Sequence, residues 1–209
     1  MLLHLHPENP QPRTIRTIVE CIQNGGVVIY PTDTIYGLGC DIFQTKAVDK
    51  ICRIKNIQPQ KAQLSFICYD LSDLSKYARS ISTPVYRLLK SHLPGPYTFI
   101  LPASREVPKI LKSKKDTIGI RVPDNSIART IVKELGNPIL STSLPGEIVE
   151  DYTDPEIIYE NFKDLVDIVV DGGTGGIVPS TVIDFTTNEP IVIREGLGEW
   201  VTEKDTYEL

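Results

Sequence analysis

The stretch Pro31-Thr32-Asp33-Thr34-Ile35-Tyr36-Gly37-Leu38-Gly39 gathers two threonine hydroxyls, a carboxylate and a phenol into one short piece of chain. Such a density of donors and acceptors, closed by two glycines that let backbone approach a ligand, suits a polar pocket for a small molecule. A polar strand-to-loop turn is the plainer alternative. Asp171-Gly172-Gly173-Thr174-Gly175-Gly176 could turn backbone N–H groups towards an anion. It lacks G-x-x-x-x-G-K-[ST], however, and Ile177-Val178-Pro179 leads to another strand, so neither a Walker loop nor a dinucleotide fingerprint is supported. A wide connection between strands is the competing account. Arg121 stands in a β-branched run just before Val122-Pro123, where an inward guanidinium needs an acceptor. That acceptor is either a ligand carboxylate or an internal ion pair.

Other chemistries are set aside by what the chain lacks. There is no G-x-S-x-G, and the three histidines stand at positions 4, 6 and 92, so serine catalysis is not expected. His92 ends a helix before Pro94-Gly95, where an imidazolium suits the helix dipole. His4 and His6 alternate with leucines as on a short edge strand, and without a third ligand they read as surface residues. Cys21, Cys40, Cys52 and Cys68 contain no C-x-x-C pair and read as buried thiols. No metal site is expected.

The run PTDTIYGLGCD, Pro31 to Asp41, resembles the opening signature of the YrdC/YciO family of threonylcarbamoyl-adenylate synthases and their relatives. Further pieces follow in family order. Ile51-Cys52-Arg53-Ile54-Lys55 is similar to a basic helix end, Pro94-Gly95-Pro96-Tyr97-Thr98-Phe99 to the PGPxT segment, and Ile118-Gly119-Ile120-Arg121-Val122-Pro123 to the VRxP strand. Ser141-Thr142-Ser143, Asp171-Gly172-Gly173, Ser180-Thr181-Val182-Ile183-Asp184 and Arg194-Glu195-Gly196 complete the series. The resemblance covers Asn9 to Gly198. His6-Pro7-Glu8-Asn9-Pro10-Gln11 and the Ser-Thr-Ser-Leu that ends at Leu144 are closer to the YciO branch than to the proven synthases.

This resemblance implies a YrdC-like domain, a twisted open mixed α/β (α+β) sheet with helices and a concave ligand-binding face. It implies a nucleotidyltransferase that joins L-threonine, bicarbonate or CO2 and ATP into threonylcarbamoyl-adenylate, releasing pyrophosphate, for modification of a tRNA adenosine. Such transfer depends on positioning and on cations that offset phosphate charge. By position, Thr32, Thr34, Tyr36 and Thr181 would line the amino-acid end, and Arg121 would hold the carboxylate in a bidentate fork. Lys55, Lys61, Ser141, Ser143, Ser180 and Arg194 would face the nucleotide, with Lys55 as the catalytic cation. Mg²⁺ would come with ATP rather than in a protein cage. The rival implication is a module that binds tRNA or double-stranded RNA without synthase activity, using Arg53, Lys55, Lys61, Arg121 and Arg194 as a basic patch.

The departures from the family pattern cluster at one place. Its synthases carry K-x-R, whereas here Lys55 is followed by Asn56 and Ile57. They carry Ser-Ala-Asn where this chain has Ser143-Leu144-Pro145, and Lys61-Ala62-Gln63-Leu64 matches their K-P-L only in part. The expectation is a protein that binds nucleotide but makes the adenylate slowly or not at all.

To place these residues the chain must alternate helix and strand. Val27-Val28-Ile29-Tyr30 reads as a buried strand between Gly25-Gly26 and Pro31, which has no N–H for a central ladder. Upstream, Ile15, Ile18, Val19 and Ile22 mark one face of a helix, and Thr45 is expected to cap a second that runs to Lys55. Further helices are expected from Ser82 or Thr83 with Pro84, with Val85, Leu88 and Leu89 inward, from Ile127 to Gly136, and from Asp154-Pro155. Strands are expected at 64–69, 97–101, 117–122, 138–141, 166–170, 181–185 and 191–193. The last three follow one another without helices between, which predicts a mixed sheet.

With 209 residues, 41% of them apolar and 23% charged, the chain suits a single domain, 1–209, with its core at about 9–198 and a loosely held polar tail at 199–209. The net charge of −5 argues against a surface built throughout for nucleic acid but leaves room for a local basic groove. Lys109, Lys112, Lys114 and Lys115 read as a solvated face. No stretch approaches the ~20 apolar residues of a membrane span. Cysteines that read as buried thiols and the lack of a leader-like run at Met1 to His6 fit a cytoplasmic protein.

Overall fold

Apolar runs and turn residues divide the chain into strands β1 (Leu2–His4), β2 (Val28–Tyr30), β3 (Gly37–Asp41), β4 (Ser65–Ile67), β5 (Tyr97–Pro102), β6 (Thr117–Arg121), β7 (Ile139–Ser143), β8 (Ile168–Asp171), β9 (Thr181–Asp184) and β10 (Ile191–Arg194). Between them lie helices α1 (Pro12–Gln23), α2 (Thr45–Ile54), α3 (Leu74–Tyr77), α4 (Thr83–His92), α5 (Ser126–Leu135) and α6 (Pro155–Phe162). The computed structural model describes residues 1–58, 64–111, 116–146, 152–187 and 189–200. All ten strands join one mixed sheet in the order β1-β8-β2-β3-β7-β4-β6-β5-β9-β10. The expected architecture is therefore present, with more strands than the apolar periodicity marked.

Side chains alternate across a strand, so the ladder register sorts the sheet into two unlike faces. Cys40, Leu140, Phe66, Ile120, Phe99 and Ile183 form one row straight across β3, β7, β4, β6, β5 and β9. This row packs with Val48 and Ile51 of α2, Leu89 of α4 and Ile158 of α6 into the larger core. On the opposite face the row Gly39, Ser141, Ser65 and Gly119 crosses β3, β7, β4 and β6. With nothing larger than serine standing on it, that row is the lowest strip of the face, a shallow trough that the Tyr30 ring covers at its Gly39 end. The rest of this face packs under α1 and α5, through Val28, Tyr30, Ile67 and Ile139.

β3 is the main departure from the sequence reading, which treated Gly37 and Gly39 as a ligand turn. The chain leaves the sheet at Pro31 as expected, then returns after six residues of loop, 31–36. At Gly39 a Cβ would come within 2.7 Å of the Leu140 carbonyl oxygen and 2.9 Å of the Tyr30 ring. Glycine lets the Tyr30 ring lie over the neighbouring strand.

The helix ends follow local chemistry, with one correction. Gln44, not Thr45, occupies the cap position of α2, and it makes no side-chain capping bond. At the other end Lys55 is the C-cap, Asn56 takes the left-handed φ of 52°, and Asn56 N and Ile57 N donate to Arg53 O and Cys52 O at 3.0 Å each. This is a Schellman turn, with asparagine at the position that tolerates positive φ. Asn125 caps α5 by accepting from Ala128 N at 2.9 Å, and Gly136 ends it at φ 79°.

Three smaller expectations are revised. Cys21 is only half-buried, whereas Cys40, Cys52 and Cys68 are buried, and none of the four is in a disulfide. In α4 only Leu89 is fully buried, with Val85 and Leu88 packing at the margin of the core. The tail begins as a held segment, because Trp200 packs against Phe99 and Phe185; residues 201–209 lie outside the described residues. No helix among the described residues is long and apolar enough to cross a membrane.

Candidate functional site

Arg121, at the end of β6, meets the loop between β2 and β3, although β7 and β4 separate β6 from β3 in the sheet. Its Nη2 donates to Thr34 Oγ1 at 2.7 Å and Thr32 Oγ1 at 3.1 Å, and pairs with Asp33 Oδ1. Asp33 Oδ2 in turn accepts from Asp124 N at 3.0 Å, which ties the loop to the segment after β6. Thr32 Oγ1 also donates to Ile35 O at 2.7 Å and accepts from Thr34 N at 3.1 Å, so the loop is folded on itself. The internal ion pair named above as the alternative for Arg121 is thus present. Arg121 Nε, which is buried, has no partner among the described residues.

Tyr36 faces the other way from the same loop. Its hydroxyl donates to Gly173 O at 2.7 Å and accepts from Gly172 N at 3.4 Å. Gly176 N donates to Thr34 O and Gly175 N to Thr153 O, each at 2.8 Å, while Gly173 N donates to Asp171 Oδ1 at 2.9 Å. These N–H groups are taken by protein acceptors, which removes the phosphate-loop reading. Instead the glycines let the segment lie against the Tyr36 ring, where a Cβ at Gly175 would come within 2.6 Å. Burial pushes the Tyr36 phenol up to about 12, opposed by the Gly172 N–H.

Along the trough, Tyr30 donates its hydroxyl to Ser141 Oγ at 2.6 Å. Lys55, fixed at the end of α2 by the Schellman turn, donates from Nζ to Ser143 O at 2.9 Å, Ser143 Oγ at 3.1 Å and Leu144 O at 3.2 Å. Burial lowers the pKa of this ammonium. Farther along, Ser180 Oγ lies 2.9 Å from Thr98 Oγ1, and Arg194 donates to Ser180 O from Nη2 at 2.7 Å and from Nε at 3.1 Å. Arg194 is exposed as a residue, but its guanidinium is desolvated against Ser180; that burial, and then the Arg121 charge, lower its pKa. Thr181 commits its hydroxyl to the strap at 196–198, accepting from Gly196 N at 3.0 Å and donating to Gly198 O.

Of the expected site residues, Thr32, Thr34 and Arg121 are brought into direct contact, Lys55 meets Ser143, and Arg194 meets Ser180. Tyr36 and Ser141 are engaged with Gly173 and Tyr30. Lys61, and Lys112, Lys114 and Lys115 of the basic run, lie outside the described residues. Sequence reasoning passed over Asp33, Tyr30 and Thr98. Asp33 carried a signal, since an acidic residue between two threonines is a natural partner for an inward arginine. His4 pairs with Asp171 at 2.6 Å, His6 accepts from Glu8 N and Asn9 N, and no metal-binding group of three His, Cys, Asp or Glu occurs among the described residues.

Comparison with known proteins identifies the family and agrees with the fold. The Sua5/YciO/YrdC family model, described as telomere recombination, matches residues 20–196. The protein YciO of Escherichia coli K12 is 46% identical over 200 residues, covering 94% of this chain and 95% of that protein. Its crystal structure superposes with a TM-score of 0.89 at 44% identity, over 95% of this chain and 97% of that one. The threonylcarbamoyl-AMP synthase of Pyrococcus abyssi is 32% identical over 183 residues, 87% of this chain and 54% of the longer enzyme. The P. abyssi Sua5 structure complexed with L-threonine gives a TM-score of 0.86 at 30% identity, covering 94% of this chain and 57% of that one. The chain belongs to the Sua5/YciO/YrdC family.

Proposed function

We propose that the trough binds L-threonine and ATP and transfers adenylate to the carbamate of threonine, at a rate well below that of a full synthase. The observation that carries this reading is the cluster of Arg121 with Thr32, Asp33 and Thr34, a buried guanidinium beside two hydroxyls on the face of smallest residues. In this scheme Arg121 holds the amino-acid carboxylate. The amine adds to CO2, and the new carbamate oxygen attacks the α-phosphorus as the bond to pyrophosphate breaks. Lys55 and Arg194 offset the charge on the phosphate oxygens. Asp33 has both oxygens engaged, so Mg²⁺ would travel on the triphosphate.

The low rate follows from Ile57 in place of the K-x-R arginine. Removing one well-placed donor from a developing oxyanion costs about 3 to 4 kcal/mol, roughly 10² to 10³ in rate. Incubation with threonine, bicarbonate and ATP, following pyrophosphate and the adenylate by mass, tests the reading. Ile57→Arg is expected to raise the rate. Turnover equal to that of a K-x-R synthase assayed alongside overturns the low-rate claim, and absence of product together with absence of binding to either substrate overturns the whole. RNA binding takes second place, because Arg121, one of the residues of the basic patch, is buried and paired with Asp33.

A further inference from the structure

We propose that Asp33 and Arg121 together form a site for a zwitterion, in which Asp33 faces the α-ammonium of the ligand whose carboxylate Arg121 holds. The inference rests on the amino-acid reading above and adds the group that selects for the amine. Both side chains are about nine-tenths buried, at 9% exposure for Arg121 and 10% for Asp33. They are in direct contact, and charges at that depth interact strongly.

The planar guanidinium decides the rest. Its Nε–H and Nη2 share one edge, and Nε is the buried donor without a partner among the described residues. A ligand carboxylate that takes Nε–H therefore arrives beside Nη2, and so beside Asp33 Oδ1, which Nη2 already binds. Two carboxylates brought together at low dielectric repel one another. The hydroxyls of Thr32 and Thr34 on the same nitrogen supply hydrogen bonds but no charge. A ligand carrying a cation next to its carboxylate removes the repulsion, because that cation can sit against Asp33 Oδ1. An α-amino acid has this arrangement; a hydroxy acid of the same shape does not. Swinging Asp33 away to admit a plain anion would also break the bond from Asp124 N to Oδ2 at 3.0 Å.

Calorimetric titration of the full chain with L-threonine and with 3-hydroxybutyrate, which is threonine without its amine, tests the assignment. The native protein is expected to bind threonine about 10²-fold more tightly, and Asp33→Asn to shrink that ratio to less than about tenfold. Equal binding of both ligands by the native protein overturns the assignment. So does an Asp33→Asn protein that loses affinity for both ligands in equal measure, for Asp33 is then only a brace for Arg121. Binding of neither ligand to the native protein overturns the amino-acid reading, a different failure. A thermal melt checks the fold of the variant, and if it does not fold the native comparison still decides.

Discussion

The proposed amino-acid end and the proposed nucleotide end of the trough hold their cations by different kinds of acceptor. Arg121 is held by side chains, two hydroxyls and a carboxylate. Lys55 is held mainly by backbone, through Ser143 O and Leu144 O, and Arg194 by Ser180 O. A carboxylate neutralises its partner, whereas a carbonyl dipole orients a cation and leaves its net charge in place. The first end is thus closed electrostatically, which on the proposed reading suits a ligand that is neutral overall. The second keeps positive charge that would serve a phosphate, but with fewer cations than the K-x-R pattern supplies. Within one fold, the Thr32-Asp33-Thr34 end carries the family motif, whereas the Lys55 end has Ile57 where K-x-R places an arginine.

The largest test of this contrast is Arg121→Ala. It leaves the Asp33 carboxylate buried without its counter-charge, and breaking such a pair costs about 3 to 5 kcal/mol, read by urea denaturation. A loss below about 1 kcal/mol would mean that the pair is solvated and the contrast false. Next comes alkaline pH, which acts on the two ends with opposite sign. Burial pushes Tyr36, and also Tyr30, up to about 12. Each phenol therefore stabilises the fold below the ordinary tyrosine pKa near 10, and that contribution, at most about 2 to 3 kcal/mol each, is lost between about pH 10 and 12. Lys55 has a lowered pKa, so its charge opposes folding at neutral pH and the penalty fades as pH rises through that pKa. Tyr36→Phe should flatten the alkaline decline, and a decline unchanged in this variant would remove Tyr36 from the account.

The smallest stability effect is expected from Lys55→Ala. Its acceptors lie at a partly solvated site, so water can replace the ammonium and the loss should be about 1 to 2 kcal/mol. ATP affinity should fall in the same variant, measured by calorimetry. A stability loss as large as that of Arg121→Ala, with ATP affinity unchanged, would erase the distinction between the two ends.

Much of this was legible in the sequence, and the exceptions share a cause. Strands such as β5 and β6 announced themselves through β-branched and aromatic runs, and α5 through its apolar face and its glycine stop. β3 did not, because Gly-Leu-Gly-Cys-Asp has the composition of a turn, and its glycines make sense only beside the Tyr30 ring. The row of small residues was likewise invisible. Gly39, Ser141, Ser65 and Gly119 come from distant parts of the chain and meet only through register. Thr32, Thr34 and Arg121 could be named from the motif, yet the ion pair joining Arg121 to Asp33 depends on how the sheet brings β6 to the β2–β3 loop. The glycine segment at 172–176 shows the reverse case, a suggestive composition that the fold uses for packing.

Trp200 gives the strap an optical property. It is the chain's single tryptophan, its ring lies 4.8 Å from that of His92, and its Nε1 is buried without a partner among the described residues. Emission excited at the red edge of the aromatic band therefore comes from one place, the anchor of the segment that begins at Arg194. The ring contacts around the indole make that emission responsive to any shift of the strap. The protein carries its tryptophan fluorophore beside β5 and β9 and none beside Arg121.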